Sequence, residues 1–221
     1  MPGRKMNPTR IDWADSTWNP VWGCTFGCPY CYARGTAKRF GMQVAGRDDF
    51  VPTWIERNFA REFPARPSRI FVNSMSDIAD WAREWIEKVL TRIEASPEHS
   101  FLFLTKRPEI YQHWEWPRNA WLGVTSTGGI PALAPDHPES GPAFVSIEPL
   151  LGPLEALDFG FDWAILGAES GRRAGKVAPE RSWIDAIVED CRAKSIAVFM
   201  KSSLEPIMGP DMVREFPGAT R

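Results

Sequence analysis

The chain has 221 residues, enough for one hydrophobic core, and its 26 basic and 28 acidic side chains give a formal net charge of −2. This near-neutral charge gives no overall attraction to nucleic acid or anionic membranes, and no apolar run approaches the roughly 20 residues of a membrane span. The N-terminus lacks the apolar segment of a signal peptide. We therefore expect a cytoplasmic protein with one domain over residues 1–221 and no membrane partner, in which clustered cysteines are metal or redox ligands.

Seven short apolar runs predict the strands of a parallel sheet. Each has four or five residues and is mostly uninterrupted, which is typical of strands buried on both faces. The runs are residues 18–22, 69–72, 101–104, 121–124, 143–147, 163–166 and 196–200.

Helical patterns separate several of these runs. One apolar helical face is formed by Trp81, Trp85, Ile86, Val89, Leu90 and Ile93. Another comprises Trp183, Ile184, Ile187, Val188 and Cys191, with Ser182 as a candidate N-cap. Residues 125–142 predict a loop with one helical turn. The alternation of strands and helices predicts an α/β fold with a parallel sheet.

Polar and charged residues follow the predicted strands. The segments concerned are residues 73–77, 105–108, 125–129, 148–149, 167–171 and 201–203. The carboxyl ends of the strands are the face on which α/β barrels build active sites, although ordinary turns also use such residues. Lys106 and Arg107 are adjacent, so they cannot both point the same way. We expect Lys106 to face inward and Arg107 to face a neighbouring loop or an anionic partner.

Three cysteines follow the first run with the spacing C-x3-C-x2-C: Cys24, Cys28 and Cys31. They are too many for one disulfide and one ligand short of a closed zinc site. Soft thiolates suit iron–sulfur clusters, and three of them hold three corners of a [4Fe–4S] cluster while leaving the fourth iron open. The remaining cysteine, Cys191, lies on an apolar helical face and is most simply a core residue.

Two other uses of the cysteines stay open. A zinc site needs a fourth ligand from Cys191, His99, His113 or His137, but the histidines are not paired in sequence and we expect each on the surface or in a loop. A thiol oxidoreductase uses a C-x-x-C pair such as Cys28 and Cys31. A third nearby cysteine and the length of the chain argue against that second use.

The cysteine motif, with the aromatic Tyr30 before its last cysteine, resembles the signature of the radical S-adenosylmethionine superfamily. Further segments resemble a phage- and prophage-associated branch of uncertain function, distantly similar to spore photoproduct lyase: residues 17–24, 72–77, 104–108, 121–124, 146–153 and 167–171. The resemblance covers residues 11–201. Many members of that branch have more than the three residues that separate Cys24 from Cys28 here. The three-residue gap is that of the wider superfamily, which favours an enzyme. The superfamily also often carries a Gly-Gly-Glu segment that holds the methionine amino group of the cofactor. At the matching residues 73–77 this chain has Asn-Ser-Met-Ser-Asp instead.

The resemblance implies an incomplete (β/α)6-type, TIM-like barrel with a [4Fe–4S] cluster on Cys24, Cys28 and Cys31. It implies an enzyme that uses an external electron donor to cleave S-adenosylmethionine at the open iron. The resulting 5′-deoxyadenosyl radical would act on a substrate that is not identified; nucleic acid, nucleotide, peptide and protein stay open.

The same resemblance assigns roles to residues at the barrel mouth. The cofactor-binding residues it implies are Tyr30, Ser74, Asp77, Lys106, Thr125, Ser126, Gly167 and Glu169. Within this set, Lys106 suits the cofactor carboxylate, Thr125 and Ser126 the ribose hydroxyls, and Ser74 or Asp77 the amino group. Glu148 and Lys201 are the candidate catalytic residues. Glu148 and Glu169 are alternatively members of structural ion pairs, because a buried carboxylate needs a partner.

A different class of function also fits the sequence. A non-catalytic iron–sulfur or zinc protein that binds nucleic acid or a partner protein would explain the 11 tryptophans and the phage-like context. The near-neutral charge and the polar strand ends favour the enzyme.

Overall fold

The computed structural model describes residue 6 and residues 8–129, 133–137, 139–170 and 173–218. Its strands are β1 (Ser16–Thr17), β2 (Val21–Trp22), β3 (Thr53–Trp54), β4 (Arg69–Phe71), β5 (Ser100–Thr105), β6 (Ala120–Ser126), β7 (Ala143–Ile147), β8 (Trp163–Leu166) and β9 (Ala197–Met200). Its helices are α1 (Tyr32–Val44), α2 (Glu56–Phe59), α3 (Arg83–Glu94), α4 (Arg181–Ala193) and α5 (Glu205–Met208). Short 3-10 turns lie at Ile78–Asp80, Pro108–His113, Ser202–Leu204 and Gly209–Asp211.

Seven strands form one parallel sheet in the order β1-β4-β5-β6-β7-β8-β9. The sheet curls into a half-barrel, an incomplete TIM-like barrel in a single α/β domain, which confirms the predicted fold class. Six of the seven predicted apolar runs coincide with its strands, to within a residue or two at their ends.

The sheet is buried on both faces. Successive side chains of each strand alternate between the two faces, and each face packs against a hydrophobic cluster. The concave face packs Phe71, Leu102, Phe144, Trp163, Ile165 and Phe199 together with Trp13. The convex face packs against α3 in one cluster and against α4 in another. Ile86, Val89 and Ile93 of α3, and Ile184, Ile187 and Cys191 of α4, are buried as their periodicity predicts.

The prediction that residues 18–22 form one strand of the parallel sheet is wrong. The sheet strand is β1, and residues 18–20 lead out of the sheet to β2, which pairs with β3 in a separate antiparallel ribbon. Pro20 interrupts the run, since proline has no N–H to donate to a ladder. The Trp18 side chain is fully buried, and its indole N–H donates to Asn58 O at 2.9 Å.

The connections carry fewer helices than a complete (β/α) barrel has. A 3-10 turn joins β5 to β6, and residues 148–162, all described, join β7 to β8 without a helix. The helical turn predicted between residues 125 and 142 is not found in residues 125–129, 133–137 or 139–142; the remaining residues of that segment lie outside the described part. Prolines without N–H donors recur in these short connections and disfavour helix continuation.

One smaller expectation is corrected by the structure, and a second is made more precise. Ser182 is not the N-cap of α4, because the helix begins at Arg181 and Glu180 occupies the cap. His99 lies in a loop, one of the two expected places, but its ring is buried and lies 5.7 Å from the Phe63 ring centroid. Among the described residues, no helix is long and apolar enough to cross a bilayer.

Candidate functional site

The carboxyl ends of the parallel strands surround a cavity of about 360 Å³. One part of its wall is the cysteine loop (residues 24–31), which contributes all three clustered cysteines. Strand ends contribute most of the rest, and Ile11 and Trp13 reach it from the N-terminal segment. The predicted site residues that line it are Cys24, Cys28, Tyr30, Cys31, Ser74, Asp77, Lys106, Thr125, Glu148, Glu169 and Lys201. Ser126 and Gly167 do not line it.

Local geometry brings the cysteines to the cavity. Gly23 has φ +109°, and a Cβ there would lie 2.2 Å from Val51 O, so only glycine permits the turn from β2 into the cysteine loop. Cys24 N donates to Phe50 O at 2.9 Å. Cys31 is the N-cap of α1, and its Sγ accepts a hydrogen bond from Arg34 N at 3.4 Å. The three thiols are half-buried and free of disulfides.

The three loop thiols could hold an iron–sulfur cluster. Among the described residues, no three His, Cys, Asp or Glu side chains converge on one metal-ion position. A closed zinc site requires such convergence, whereas the thiolates of a four-iron cluster each bind a different iron. Cys191 lies on the buried face of α4, away from the cavity, and none of the three histidines lines the cavity, so neither residue type supplies a fourth ligand there.

Lys106 and Arg107 point in different directions. The Lys106 ammonium lies 5.5 Å from the Tyr30 ring centroid inside the cavity wall. Arg107 forms an ion pair with Asp80 and lies over the Phe26 ring, 5.0 Å from its centroid. Lys106 is therefore the cation that faces the cysteines.

Two carboxylates of the cavity are in ion pairs. Glu148 pairs with Lys201, and the two side chains are 23% and 18% exposed. Glu169 accepts two hydrogen bonds from Arg173, from Nε to Oε1 and from Nη2 to Oε2, each 2.7 Å long. Sequence reasoning missed Arg173, whose only signal is its position four residues after Glu169. Hydrogen bonds from Arg173 hold the pKa of the Glu169 carboxyl below its ordinary value.

Asp77 joins the ends of two strands. Its carboxylate accepts hydrogen bonds from Thr105 Oγ1 at 2.6 Å, from Lys106 N at 3.0 Å and from Ala79 N at 3.0 Å. These bonds connect the turn after β4 to the end of β5. Asp77 thus shapes the cavity wall with oxygens that are already engaged.

Ser74 is engaged in a similar way. Its Oγ exchanges hydrogen bonds with the Asn19 side-chain amide, at 3.0 Å as acceptor and 3.1 Å as donor. Asn19 also accepts from Met75 N at 3.0 Å. Sequence reasoning missed Asn19, which holds the turn that carries Ser74 at the cavity.

The alternation along β6 separates Thr125 from Ser126. Thr125 faces the cavity, whereas the Ser126 hydroxyl accepts from Gly128 N at 3.3 Å. Ser146, the register partner of Thr125 on β7, also lines the cavity and was missed. Gly167 lies beneath the Glu148–Lys201 pair, since a Cβ there would approach Lys201 Cδ to 3.0 Å and Glu148 Cδ to 3.1 Å.

Burial sets the electrostatics of Cys24 and Lys106. Burial raises the pKa of the Cys24 thiol to about 12, and the nearby carboxylates of Asp77 and Asp80 raise it further in the same direction. Burial also lowers the pKa of Lys106, an effect that the neighbouring cysteines and Asp77 oppose. A metal that bound Cys24 would have to displace the thiol proton.

Comparison with known proteins gives a family and no activity. No curated protein and no solved structure matches the chain. A family described as protein of unknown function (DUF5131) matches residues 8–206. Because this match spans most of the 221 residues, the chain belongs to the DUF5131 family of proteins of unknown function.

Proposed function

We propose that the chain is a radical S-adenosylmethionine enzyme whose cysteine loop holds a [4Fe–4S] cluster. The observation that carries the proposal is the placement of three half-buried thiols, without a fourth cysteine or a histidine, on the wall of a cavity at the carboxyl ends of parallel strands. Three thiolates leave one iron open, which an enzyme requires and a purely structural cluster does not.

When bound, such a cluster supplies one electron that cleaves S-adenosylmethionine to methionine and a 5′-deoxyadenosyl radical. The sequence has only one cysteine outside the loop, so a second cluster has no ligands and the electron comes from an external donor. The residues of the chain bind and orient the cofactor and keep water from the reacting atoms.

The position of each polar residue in the cavity suggests its role. Lys106, beside the cysteine loop, binds the carboxylate of the cofactor. Thr125 binds a ribose hydroxyl, because its own hydroxyl makes no hydrogen bond to any described residue and faces the cavity. Tyr30, on the same wall, would pack against the bound cluster and cofactor. Ser74 and Asp77 act through the backbone turn that they stabilise.

The Glu148–Lys201 pair is the candidate substrate-binding group of the site. Both residues lie just past strand ends and line the cavity, and each is partly exposed to it. A pair of opposite charges inside one cavity suits a substrate that carries its own polar or ionic groups rather than a bare hydrocarbon. Glu169, locked by Arg173, forms the neighbouring part of the wall.

Anaerobic reconstitution with iron and sulfide tests the proposal. We expect about four irons per chain and an electron paramagnetic resonance signal from the reduced cluster that changes shape when S-adenosylmethionine is added. A fully loaded cluster whose signal does not respond to S-adenosylmethionine would instead support a non-catalytic iron–sulfur protein. Stoichiometric zinc with no iron uptake would contradict the cluster itself.

A further inference from the structure

The cysteine loop is held by an ion pair that does not line the cavity. The Asp80 carboxylate accepts hydrogen bonds from Thr25 N and from Thr25 Oγ1, each 2.7 Å long. Arg107 forms an ion pair with the same carboxylate. The Asp80 side chain is 5% exposed and that of Arg107 is 37% exposed, so the contact is shielded on the carboxylate side.

The next residue of the loop is fixed by two cations. Arg107 lies over the Phe26 ring, and Arg34 Nη2 donates to Phe26 O at 2.9 Å. Phe26 itself lines the cavity. Thr25 and Phe26 stand between Cys24 and Cys28, so these contacts determine the path of the chain between the first two thiols.

The ion pair is in turn connected to the sheet. Arg107 N donates to Thr105 Oγ1 at 3.0 Å, and Thr105 Oγ1 donates to Asp77 Oδ1 at 2.6 Å. Asp80 ends the 3-10 turn that Asp77 caps. Asp80 therefore lies in the turn that follows β4, and Arg107 lies two residues past β5, so the pair anchors the loop to the segments after those two strands.

We infer that the Asp80–Arg107 ion pair positions the cysteine loop, holding Cys24 and Cys28 at the spacing that a cluster requires. The inference rests on the proposed function for the identity of the group that the loop receives. Neither Asp80 nor Arg107 lines the cavity. The Asp80 carboxylate also lies beside the Cys24 thiol. The pair therefore acts on the start of the loop, at Cys24, Thr25 and Phe26, as positioning residues. Their charge-assisted hydrogen bonds are stronger than neutral ones, which suits a loop with few other backbone bonds.

The test uses the full-length chain with Asp80→Asn, Arg107→Gln and the double variant. Asp15→Asn is the matched control, because Asp15 accepts from Arg69 N at 2.7 Å and pairs with the Arg69 guanidinium at 3.1 Å at the other end of the strands. The first measurement is amide hydrogen exchange in residues 24–31 of the reduced, metal-free chain. The second is the rate at which a chelator removes iron from the reconstituted chain.

We expect each single variant to speed exchange in the loop and iron loss by about ten-fold, the loss of one charge-assisted hydrogen bond. The double variant should add little, because removing either partner already breaks the pair. The control should leave both rates unchanged. Unchanged loop exchange in Asp80→Asn and Arg107→Gln, or an equal rise in the control, overturns the inference.

Two further outcomes are also decisive. If the wild-type chain takes up no iron but loop exchange still rises in the variants, the positioning role is supported and the proposed function is contradicted. If Asp80→Asn does not fold, Arg107→Gln carries the test. The Arg107 guanidinium is partly exposed, and after its removal the Asp80 carboxylate still accepts two hydrogen bonds from Thr25.

Discussion

The three clustered thiols differ from the fourth in what surrounds them. Cys24, Cys28 and Cys31 line the cavity, whereas Cys191 is fully buried among Ile184, Ile187 and their neighbours. We predict that Cys→Ala at any of the three loop positions reduces iron uptake to a small fraction of the wild-type value. Cys191→Ala should keep the iron and lower the free energy of unfolding by about 1 kcal/mol, the cost of a small core cavity. Iron analysis after reconstitution checks this, and full loading of Cys28→Ala would refute it.

Glu148 is the second residue on which the account depends. We predict that Glu148→Gln retains iron and fold but lowers the turnover of S-adenosylmethionine by about ten-fold or more, since it removes the negative charge that accepts a hydrogen bond from Lys201 Nζ. Glu205→Gln is the matched control, because Glu205 pairs with Arg214 at 3.0 Å outside the cavity and both side chains are about half exposed. Equal activity in both variants would make Glu148 structural.

For single residues, the sequence predicts well which segments line the cavity. It predicts less well which side chains of those segments point into it. Thr125 and Ser126 were both assigned to the ribose, but successive strand residues point to opposite faces, and the structure places Ser146 beside Thr125 instead. The partner of Glu169 is Arg173, in a loop without periodicity. Such pairings depend on the path of a loop, which local sequence does not determine.

Among the elements, β1 is a strand that the hydrophobic pattern of the sequence does not predict. The longer strands were predicted from their apolar runs, but β1 is the two-residue segment Ser16–Thr17, and it pairs with β4 at the edge of the sheet. Its place in the sheet depends on contacts from distant parts of the chain. One such contact is the Asp15 carboxylate, which accepts from Arg69 N at the start of β4.

Asp15 gives a pH-dependent prediction for this strand pair. Partial burial opposes ionisation of Asp15, but hydrogen bonds and charge from Arg69 outweigh it and hold its pKa below the ordinary value. The folded state thus binds fewer protons than the unfolded chain, whose carboxyl has a pKa of about 3.9. The stabilisation is present above about pH 4 and is lost as the pH falls through the lower folded-state pKa.

We therefore predict that Asp15→Asn lowers the free energy of unfolding by about 1 kcal/mol or less at neutral pH, a value typical of an exposed ion pair. The difference from wild type should shrink as the pH falls below about 4. Urea unfolding at a series of pH values measures it. A difference that stays constant into acid would show that Asp15 acts through packing rather than charge.

The N-terminal segment connects the two edges of the half-barrel. Asp12 Oδ2 accepts from Ser202 N at 2.6 Å, so the segment before β1 reaches the residues that follow β9, the strand at the opposite edge of the sheet. The next residue, Trp13, fills the concave face, with its ring centroid 4.7 Å from that of Phe71 and 6.1 Å from that of Phe144. This segment had no strand or helix signal in the sequence.

Trp13 is accordingly a large contributor to stability. We predict that Trp13→Ala lowers the free energy of unfolding by about 3–5 kcal/mol, the usual cost of removing a buried aromatic side chain. Phe159→Ala, at a side chain that is 78% exposed, should change it by less than about 0.5 kcal/mol. Denaturant unfolding of the two variants compares them, and similar costs would mean that the half-barrel interior is not held together by Trp13.

The central claim is that the cysteine loop and the cavity act together on S-adenosylmethionine. The most direct test is to incubate the anaerobically reconstituted, dithionite-reduced chain with S-adenosylmethionine and measure 5′-deoxyadenosine by liquid chromatography and mass spectrometry. The account predicts 5′-deoxyadenosine and methionine in equal amounts from the wild-type chain and none above background from Cys28→Ala. A wild-type chain that carries a full four-iron cluster and releases no 5′-deoxyadenosine would contradict it.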